Sequence, residues 1–394
     1  GFGTVVSSHV PATSGSAGMR GPMEMPRTGS PPRDDAGNCP RAPFTGRSVI
    51  MTIRVYTEAD RDAWDRYVRE NAGASCYHLT GWKDVIEESF GHRTCYLLSL
   101  GGDGEIDGIL PLVHLNSFLF GSFVVSLPFF NYGGVCADDR RVRERLFNEA
   151  ARMMRSMEIS HMELRHTGNL LPGLPVKTSK VSMRLSLPGA KEELMASFSS
   201  KLRSQVRRAE KEGMWARIGG IEELPGFYHV FSRNMRDLGT PVYSRTFFRN
   251  ILKRFPETAR ISTVYTKDGC PVASGMIVGF RETMEIPWAS SLRDFNRYGP
   301  NMLLYATVLG FACDAGYRIF DFGRSTPGEG TYRFKEQWGA RPTQLHWHYW
   351  LRNGRPMPEI NPHNPKYGLA IRIWQHLPLA LTRLIGPPLV KNLP

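Results

Sequence analysis

The sequence has few cysteines, and none of them stands in a recognisable motif. The six cysteines are spread over 394 residues, with no Cys-x-x-Cys pair and no His/Cys cluster at zinc spacing. We therefore expect reduced thiols in a reducing compartment and no metal site. Strings of the types G-x-S-x-G, H-E-x-x-H and P-loop are also absent, so nothing indicates the enzyme classes that carry them.

Long apolar runs are missing as well. No stretch reaches the ~18 uninterrupted apolar residues of a membrane-spanning helix. The first residues lack the basic-then-apolar order of a signal peptide. The sequence predicts a cytoplasmic protein, with peripheral attachment to the inner membrane as the alternative.

Acidic residues are outnumbered, and the formal net charge is +13. Residues 1–50 contain five Arg and three Asp or Glu, so +11 of this charge belongs to the rest of the chain. An excess of this size favours anionic partners such as tRNA, nucleotide-linked sugars or an acidic lipid surface, although it also serves solubility.

The first 50 residues are rich in Gly, Pro, Ser and Arg and show no apolar period. Such a composition cannot bury enough surface to offset the entropy of ordering, so we expect a disordered leader over 1–50. A patterned sequence begins at Met51, which we interpret as the native start; a genuine disordered tail is the alternative.

Two similar halves follow, over 51–190 and 191–355, and a tail over 356–394. Each half is predicted to run hairpin, strand, helix, strand. The predicted strands are 94–100, 109–115, 122–128 and 161–165, then 261–265, 272–279, 283–289 and 319–322, and the two helices are 142–157 and 301–315. A helix that crosses between parallel strands implies mixed sheets flanked by helices, which is a duplicated α/β (α+β) fold.

A basic amphipathic helix is predicted over 198–213. Its apolar stripe includes Phe198, and Ser199 or Ser200 is the predicted N-terminal cap. The opposite side carries cations, among them Arg203, Arg207 and Lys211. We interpret these three as phosphate-binding residues, with a solvated charged face as the alternative.

A glycine-rich loop follows the last strand of the second half. It includes Arg324, Gly328 and Gly330, and a helix with Phe334, Lys335 and Trp338 comes next. Backbone N–H groups at such a position can cradle an anion, and Lys335 would add a fixed cation. A solvent-facing helix lysine is the alternative.

These strings resemble the FemAB family. Residues 198–213 resemble its linker helix, and Phe334-Lys335-Glu336-Gln337-Trp338-Gly339 looks like its F-K-x-x-(F/W)-G signature. The sequences PFFNYGG, WASSLRD and FGRSTPGEGTYRFK are more similar to those of the FemAB-like subgroup associated with exosortase/PEP-CTERM exopolysaccharide systems. The resemblance extends from Thr52 to Pro394.

The resemblance implies two tandem GNAT-like domains and transfer of an acyl or aminoacyl group to an amine. Classical members take the group from aminoacyl-tRNA and deliver it to a peptidoglycan precursor. Two departures are visible: the GNAT pyrophosphate loop is replaced by SSLRDFNRYGPN, and no coiled-coil arm interrupts the linker helix. Acyl-CoA is therefore disfavoured as the donor.

The resemblance implies a catalytic role for Lys335, as stabiliser of developing charge. Our own hypothesis for Asp321 is that it acts as a base toward the amine, with orientation of a loop or capping of a helix as the alternative. We further predict that Arg324 binds the donor, together with Gly328, Gly330, Phe334, Trp338 and the basic helix. The backbone of residues 273–276 is the predicted oxyanion hole.

The end of the third strand is expected to form a wall of the acceptor cleft, which would be lined by Asn131, Tyr132 and Gly133. No cofactor is expected; the co-substrate is aminoacyl-tRNA or an acyl thioester. The acceptor would be a small-molecule, glycan or peptide amine.

The overall interpretation is an acyl- or aminoacyltransferase of bacterial cell-envelope or exopolysaccharide synthesis. An acyl-CoA- or acyl-carrier-dependent N-acyltransferase and a non-catalytic scaffold are the alternatives.

In the tail, a predicted amphipathic helix over 367–385 should kink or end at Pro378 and pack on the body, with lipid contact as the alternative.

Overall fold

The computed structural model describes residues 52–117, 121–358 and 365–393. The prediction of a disordered leader over 1–50 lies outside the described residues. The elements of the first half are β1 (Thr52–Val55), α1 (Arg61–Glu70), α2 (Gly81–Phe90), β2 (Arg93–Thr94), β3 (Leu97–Leu100), β4 (Ile106–Leu110), β5 (Val113–Ser117), β6 (Gly121–Val125), β7 (Cys136–Ala137), α3 (Arg140–Ser156), β8 (His161–His166) and β9 (Val176–Lys177).

The second half repeats this order at greater length. The last strand of the predicted first half is β10 (Val181–Ser186), and the elements of the second half and the tail are α4 (Lys191–Ser197), α5 (Ser200–Lys211), β11 (Trp215–Gly219), α6 (Leu224–Asp237), α7 (Arg245–Arg254), β12 (Ala259–Tyr265), β13 (Pro271–Phe280), β14 (Thr283–Ser291), α8 (Pro300–Asp314), β15 (Ile319–Ser325), α9 (Gly330–Glu336), β16 (Arg341–Gln344), β17 (His346–Leu351), α10 (Pro365–His376) and α11 (Leu379–Val390).

The first-half strands form a sheet that is bent into two parts, of order β1-β3-β4-β7 and β2-β5-β6-β8-β17-β9. The two predicted strands at 94–100 and 109–115 are each divided at the bend, so both predictions are wrong in this respect. Pro111 lies at the division and has no N–H for the ladder, while the N–H of Cys95 bonds the carbonyl of Leu112 at 2.8 Å.

The second-half sheet is continuous, with the order β11-β12-β13-β14-β15-β10-β16. Helix α8 crosses over between β14 and β15, which pair in parallel, whereas β12, β13 and β14 form an antiparallel meander. The first half has the same arrangement, since α3 connects the parallel strands β6 and β8. The predicted mixed sheets with flanking helices are confirmed.

The two sheets exchange one strand each. Strand β10 precedes the second half in sequence but lies between β15 and β16, and β17 lies between β8 and β9 of the first-half sheet. The exchange is reciprocal, because each strand fills the same place in the other sheet. Strand pairing therefore crosses the predicted boundary at residue 190, and the two halves cannot separate without breaking both sheets.

A shared aromatic core also joins the halves. Helices α2, α6 and α7 contribute to it together with faces of both sheets. Trp82 packs on Phe130 at 4.6 Å between ring centroids, and Phe130 packs edge-on against Trp288 of β14 at 5.6 Å. Burial of Phe130 consequently brings the residues that follow it in the first half up to the second-half sheet.

Helix α5 confirms the predicted basic amphipathic helix. Leu202, Val206 and Ala209 are buried in the second-half core, and the Ser199 hydroxyl accepts the N–H of Leu202 at 3.2 Å. The C-terminal helix also ends as predicted, since Pro378 separates α10 from α11. Helix α9 is shorter than predicted: it ends at Glu336, and Gly339, with φ of +87°, completes the turn.

Candidate active site

The strands β14 and β15 separate part-way along their length. They pair only over Thr283–Glu285 and Ile319–Asp321. On the other side of β14 a bulge places Ile286 and Pro287 opposite the single residue Ile277. A proline fits there because a bulge leaves a residue outside the ladder. The splay opens a gap in the sheet whose floor is the last paired residues, Glu285 and Asp321.

The predicted oxyanion hole at 273–276 does not lie in this gap. Those residues pair with β12 on one side and with β14 on the other. Their backbone groups are committed to the ladders of a central strand, so the prediction is wrong. The sequence pattern had identified the correct sheet but not the strand pair that separates.

Glu285 is buried at the base of the splay. Tyr77 donates its hydroxyl to one carboxyl oxygen at 2.7 Å, and the Asn131 amide donates to the other at 3.2 Å. Both donors are neutral and come from the first half, and no cation forms an ion pair with Glu285 among the residues that the structure describes. Burial, followed by the charge of Asp321, raises the pKa of Glu285 to about 8.

Asp321, the other predicted catalytic carboxylate, is buried and fully occupied by donors. It accepts hydrogen bonds from the Tyr132 hydroxyl, from Ser182 Oγ at 2.5 Å, from Arg184 Nε at 3.1 Å and from the Gly323 N–H at 2.8 Å. These contacts tie the end of β15 to β10 and to the first half. The geometry thus suits Asp321 for orientation of the strand end more than for proton transfer.

Lys335 is only 5% exposed, so the alternative of a solvent-facing lysine is wrong. Its ammonium donates to the carbonyls of Gly323 and Arg324, at 2.9 Å each, and closes the glycine-rich loop against α9. Two of its three N–H groups are used in this way, which leaves one for a ligand. Burial lowers the pKa of Lys335 to about 7, against the opposing effects of Asp321 and Glu285.

The glycine-rich loop places its predicted residues in two different environments. Arg324 stacks over Trp347 at 5.3 Å and lines the same cavity as Lys335. Burial and the neighbouring Arg165 lower the pKa of Arg324 to about 10. Gly328 and Gly330 are exposed at the outer end of the loop and do not line that cavity.

The three predicted residues of the first half reach the site as a group. Asn131 contacts Glu285, and the Tyr132 hydroxyl contacts Asp321 and lies 2.7 Å from Ser182 Oγ. Gly133 has φ of +115°, and a Cβ there would lie 2.9 Å from the Cβ of Leu127. The backbone turn that presents Asn131 and Tyr132 therefore requires glycine at this position.

The remaining predicted residues lie elsewhere. Trp338 is in the second-half core against Phe198, at 5.3 Å, and Phe334 packs on Tyr305 at 5.0 Å. Arg203 donates to the carbonyls of Ala196 and Phe198, at 3.0 and 2.5 Å, and so joins α5 to α4. The other two predicted cations of the helix, Arg207 and Lys211, are exposed.

Two cavities approach each other at Glu285, which lines both. The first lies between β14, β15 and α6 and is lined also by Asn131, Tyr243, Trp288, Arg324 and Lys335. The second opens between the halves and is lined also by Tyr132, His166, Arg184, Arg281 and Asp321. A donor in one cavity and an acceptor in the other would meet at this carboxyl group.

Sequence reasoning missed Glu285, Tyr77 and Arg184. A signal for Glu285 was available, because it is the single charge in a strand predicted over 283–289. Tyr77 and Arg184 carry no local signal, since they reach the site only through the packing of distant elements. Within the described parts of the chain no group of three metal-ligating side chains occurs.

Comparison with known proteins agrees with this geometry. Residues 196–336 match the family model described as the acetyltransferase (GNAT) domain. The crystal structure of FemX superposes with a TM-score of 0.62 at 15% identity, covering 81% of this chain and 100% of FemX. The fold is a tandem GNAT-type fold. The predicted class, an acyltransferase, is confirmed with it.

Two more distant structures share the fold. The C-terminal domain of a candidate lysylphosphatidylglycerol synthetase from Agrobacterium fabrum has a TM-score of 0.50 at 12% identity, covering 73% of this chain and 91% of that domain. A conserved protein of unknown function from Bacteroides thetaiotaomicron has a TM-score of 0.50 at 11% identity, covering 77% and 100%. The search of curated proteins gave no match.

No helix among the described residues combines the length and the apolar character needed to cross a bilayer.

Proposed function

We propose that the protein transfers an acyl or aminoacyl group to an amine acceptor in bacterial cell-envelope or exopolysaccharide synthesis. The observation that carries the proposal is the buried carboxyl group of Glu285, held by neutral donors at the splay of a GNAT-type sheet and lining both cavities. A carboxyl group with a pKa near neutrality suits general-base catalysis at physiological pH.

In the proposed reaction the acceptor nitrogen attacks the carbonyl carbon of the donor. The nitrogen loses a proton to Glu285, the C–N bond forms, and the C–O bond of an ester or the C–S bond of a thioester breaks. The departing oxygen or sulfur takes up a proton, so that Glu285 returns to its carboxylate form. Glu285 therefore acts here in place of Asp321, for which we propose the positioning role.

Lys335 is proposed to stabilise the negative charge on the carbonyl oxygen. The Lys335 side chain lines the first cavity, and its ammonium is already held by two backbone carbonyls, so that little reorganisation accompanies the reaction. Arg324, which lines the same cavity, is proposed to bind the phosphate-bearing end of the donor.

We propose aminoacyl-tRNA as the donor and an acyl thioester as the second candidate. In support, the segment that would hold a coenzyme A pyrophosphate forms a short 3-10 turn, Arg293–Tyr298, and lacks the glycine pattern. The exposed cations Arg207 and Lys211 offer phosphate contacts outside the cavities.

The test is single-turnover transfer from labelled alanyl-tRNA, and separately from acetyl-CoA, to a lysine-containing peptide and an amino sugar, with the amide product identified by mass spectrometry. Amide formation from alanyl-tRNA that weakens with salt is the expected result. Amide formation from acetyl-CoA alone would replace the proposed donor with the second candidate. Binding of either donor by the folded protein without amide formation would contradict the proposed function.

A further inference from the structure

The C-terminal helices α10 and α11 pack on α6 with one side only. Ile371 lies against Gly239, the Gln375 amide donates to the carbonyl of Asp237 at 3.1 Å, and Arg383 donates to Ser232 Oγ at 2.9 Å. Thr382, Gly386 and Val390, spaced four residues apart, are buried on the same side of α11. The helix pair is thus anchored, as a helix over this tail was expected to be.

The side turned away from α6 is aliphatic. Leu384 is 72% exposed, Leu369 61% and Ile373 55%, and Leu381 is also exposed. We name these four residues the C-terminal face. They occur in pairs at helical spacings, Leu369 with Ile373 on α10 and Leu381 with Leu384 on α11, so each helix presents a short aliphatic row of two side chains to solvent. Scattered exposed leucines need no explanation, but a row on an anchored helix pair does.

The charge of the segment is of one sign. Residues 365–393 contain Lys366, Arg372, Arg383 and Lys391 and no Asp or Glu. Arg372 is exposed next to Ile373, within the row itself. A surface that covers the C-terminal face must therefore accept aliphatic side chains and supply negative charge around them.

We propose that the C-terminal face docks on the surface of an anionic lipid bilayer. Aliphatic side chains would enter the boundary between headgroups and acyl chains, and Arg372, which is exposed within the row, would lie at the anionic headgroups. A protein partner is less suited, because protein interfaces are typically centred on aromatic side chains and the single tryptophan here, Trp374, is buried against the body. The inner side of α6 lines the first cavity through Phe231 and Asn234, so docking would place that cavity near the lipid surface.

The experiment is flotation of the whole protein with vesicles of phosphatidylcholine alone and of phosphatidylcholine with phosphatidylglycerol. We expect flotation with the anionic vesicles only, and loss of it as salt is raised. The variant I373E/L384E should reduce the bound fraction by about tenfold or more, since two buried aliphatic contacts are replaced by charges that the lipid repels. Both side chains are largely exposed, so the variant should unfold at the wild-type temperature.

The matched control is V55E/I221E, which makes the same chemical change at two exposed aliphatic positions outside the helix pair. It should float as the wild type does. The proposal is wrong if neither vesicle type carries the protein, if the two double variants behave alike, or if light scattering reveals a dimer that I373E/L384E dissociates, since the face would then be a contact between copies. None of these results bears on amide formation, so the proposed function is tested separately.

Discussion

The two halves carry buried carboxyl groups on the corresponding pair of parallel strands, but in opposite chemical states. In the first half Val125 pairs with Glu163 where β6 and β8 run parallel; in the second, Glu285 pairs with Asp321 at the corresponding position. Glu163 binds Arg165 at 2.6 Å and accepts the Tyr349 hydroxyl. Among the described residues, the two hydrogen-bond donors to the Glu285 carboxyl group are both neutral.

The pKa values follow this difference. Burial would raise the pKa of Glu163, but the charge of Arg165 and the hydrogen bond from Tyr349 outweigh it, and the pKa is lowered. For Glu285 nothing of comparable strength opposes burial, and the pKa is raised. The corresponding strand pair thus holds a closed ion pair on β8 in the first half and a proton-accepting site on β14 in the second. The first half contributes to the second site through Tyr77, Asn131 and Tyr132.

The largest effect is expected from Glu285→Gln, which keeps the shape and removes the base. Amide formation should fall by about a hundredfold to ten-thousandfold. Because the pKa of Glu285 is raised in the folded state, its protonated carboxyl group contributes stability when the pH is below the pKa of the unfolded state. This contribution is lost as the pH rises through about 8. The variant should therefore unfold no more easily than wild type at high pH. Glu336→Gln, at an exposed carboxylate beside Lys335, is the control and should keep full activity.

Lys335→Met should lower the rate by about a hundredfold to a thousandfold, because it removes one preorganised charge from the transition state. Lys335→Arg should recover only part of this loss, since a planar guanidinium does not replace a compact ammonium. Turnover measurements on both variants, with Lys201→Met at an exposed position as the control, check the expectation. Near-normal turnover of Lys335→Met would remove the lysine from the mechanism.

Arg165→Met tests the role of the first-half carboxylate, Glu163, by removing the cation that pairs with it. It should destabilise the protein by about 3–5 kcal/mol, because Glu163 would remain buried without its partner. The double variant Glu163→Gln/Arg165→Met should regain most of this stability, as measured by urea unfolding. The folded fraction of either variant should still form amide; a specific loss of chemistry without loss of stability would contradict the structural role of this pair.

Tyr77→Phe should shift the pH dependence without abolishing transfer. The Tyr77 hydroxyl stabilises the charged form of Glu285, so its loss should move the acidic limb of the rate profile upward by about one pH unit. Tyr96→Phe removes a buried hydroxyl that has no hydrogen-bond partner in the described part of the chain, and it should leave the limb in place. An unchanged limb in Tyr77→Phe would indicate that another group is the base.

The smallest effect concerns the two exposed cations of α5. If aminoacyl-tRNA is the donor, Arg207→Glu/Lys211→Glu should weaken its binding several-fold and make the salt dependence shallower by about two counterions. The same change on a helix of the first half, Arg141→Glu/Arg145→Glu in α3, should have less effect. Equal losses from both helices would indicate that general charge, and not α5, attracts the donor.

The duplicated order of elements, the basic helix and the end of the C-terminal helix at Pro378 could be predicted from the sequence. Each depends on local signals: alternation in strands, an apolar stripe with a serine cap, and a proline where a helix ends. The same reasoning went wrong at residues 94–100 and 109–115, where one patterned run serves two parts of a bent sheet. Periodicity reports which side chains are apolar but not where a sheet bends.

The tertiary structure alone decided the reciprocal exchange of β10 and β17, the burial of Lys335 and the identity of the base. Which strands pair depends on packing between segments that are distant in sequence, so a local sequence pattern does not predict the pairing. The contact from Tyr77 to Glu285 spans 208 positions of the chain. Whether a carboxyl group is paired, and hence whether it holds a proton near neutral pH, depends on such contacts, because desolvation and neighbouring charges set its pKa.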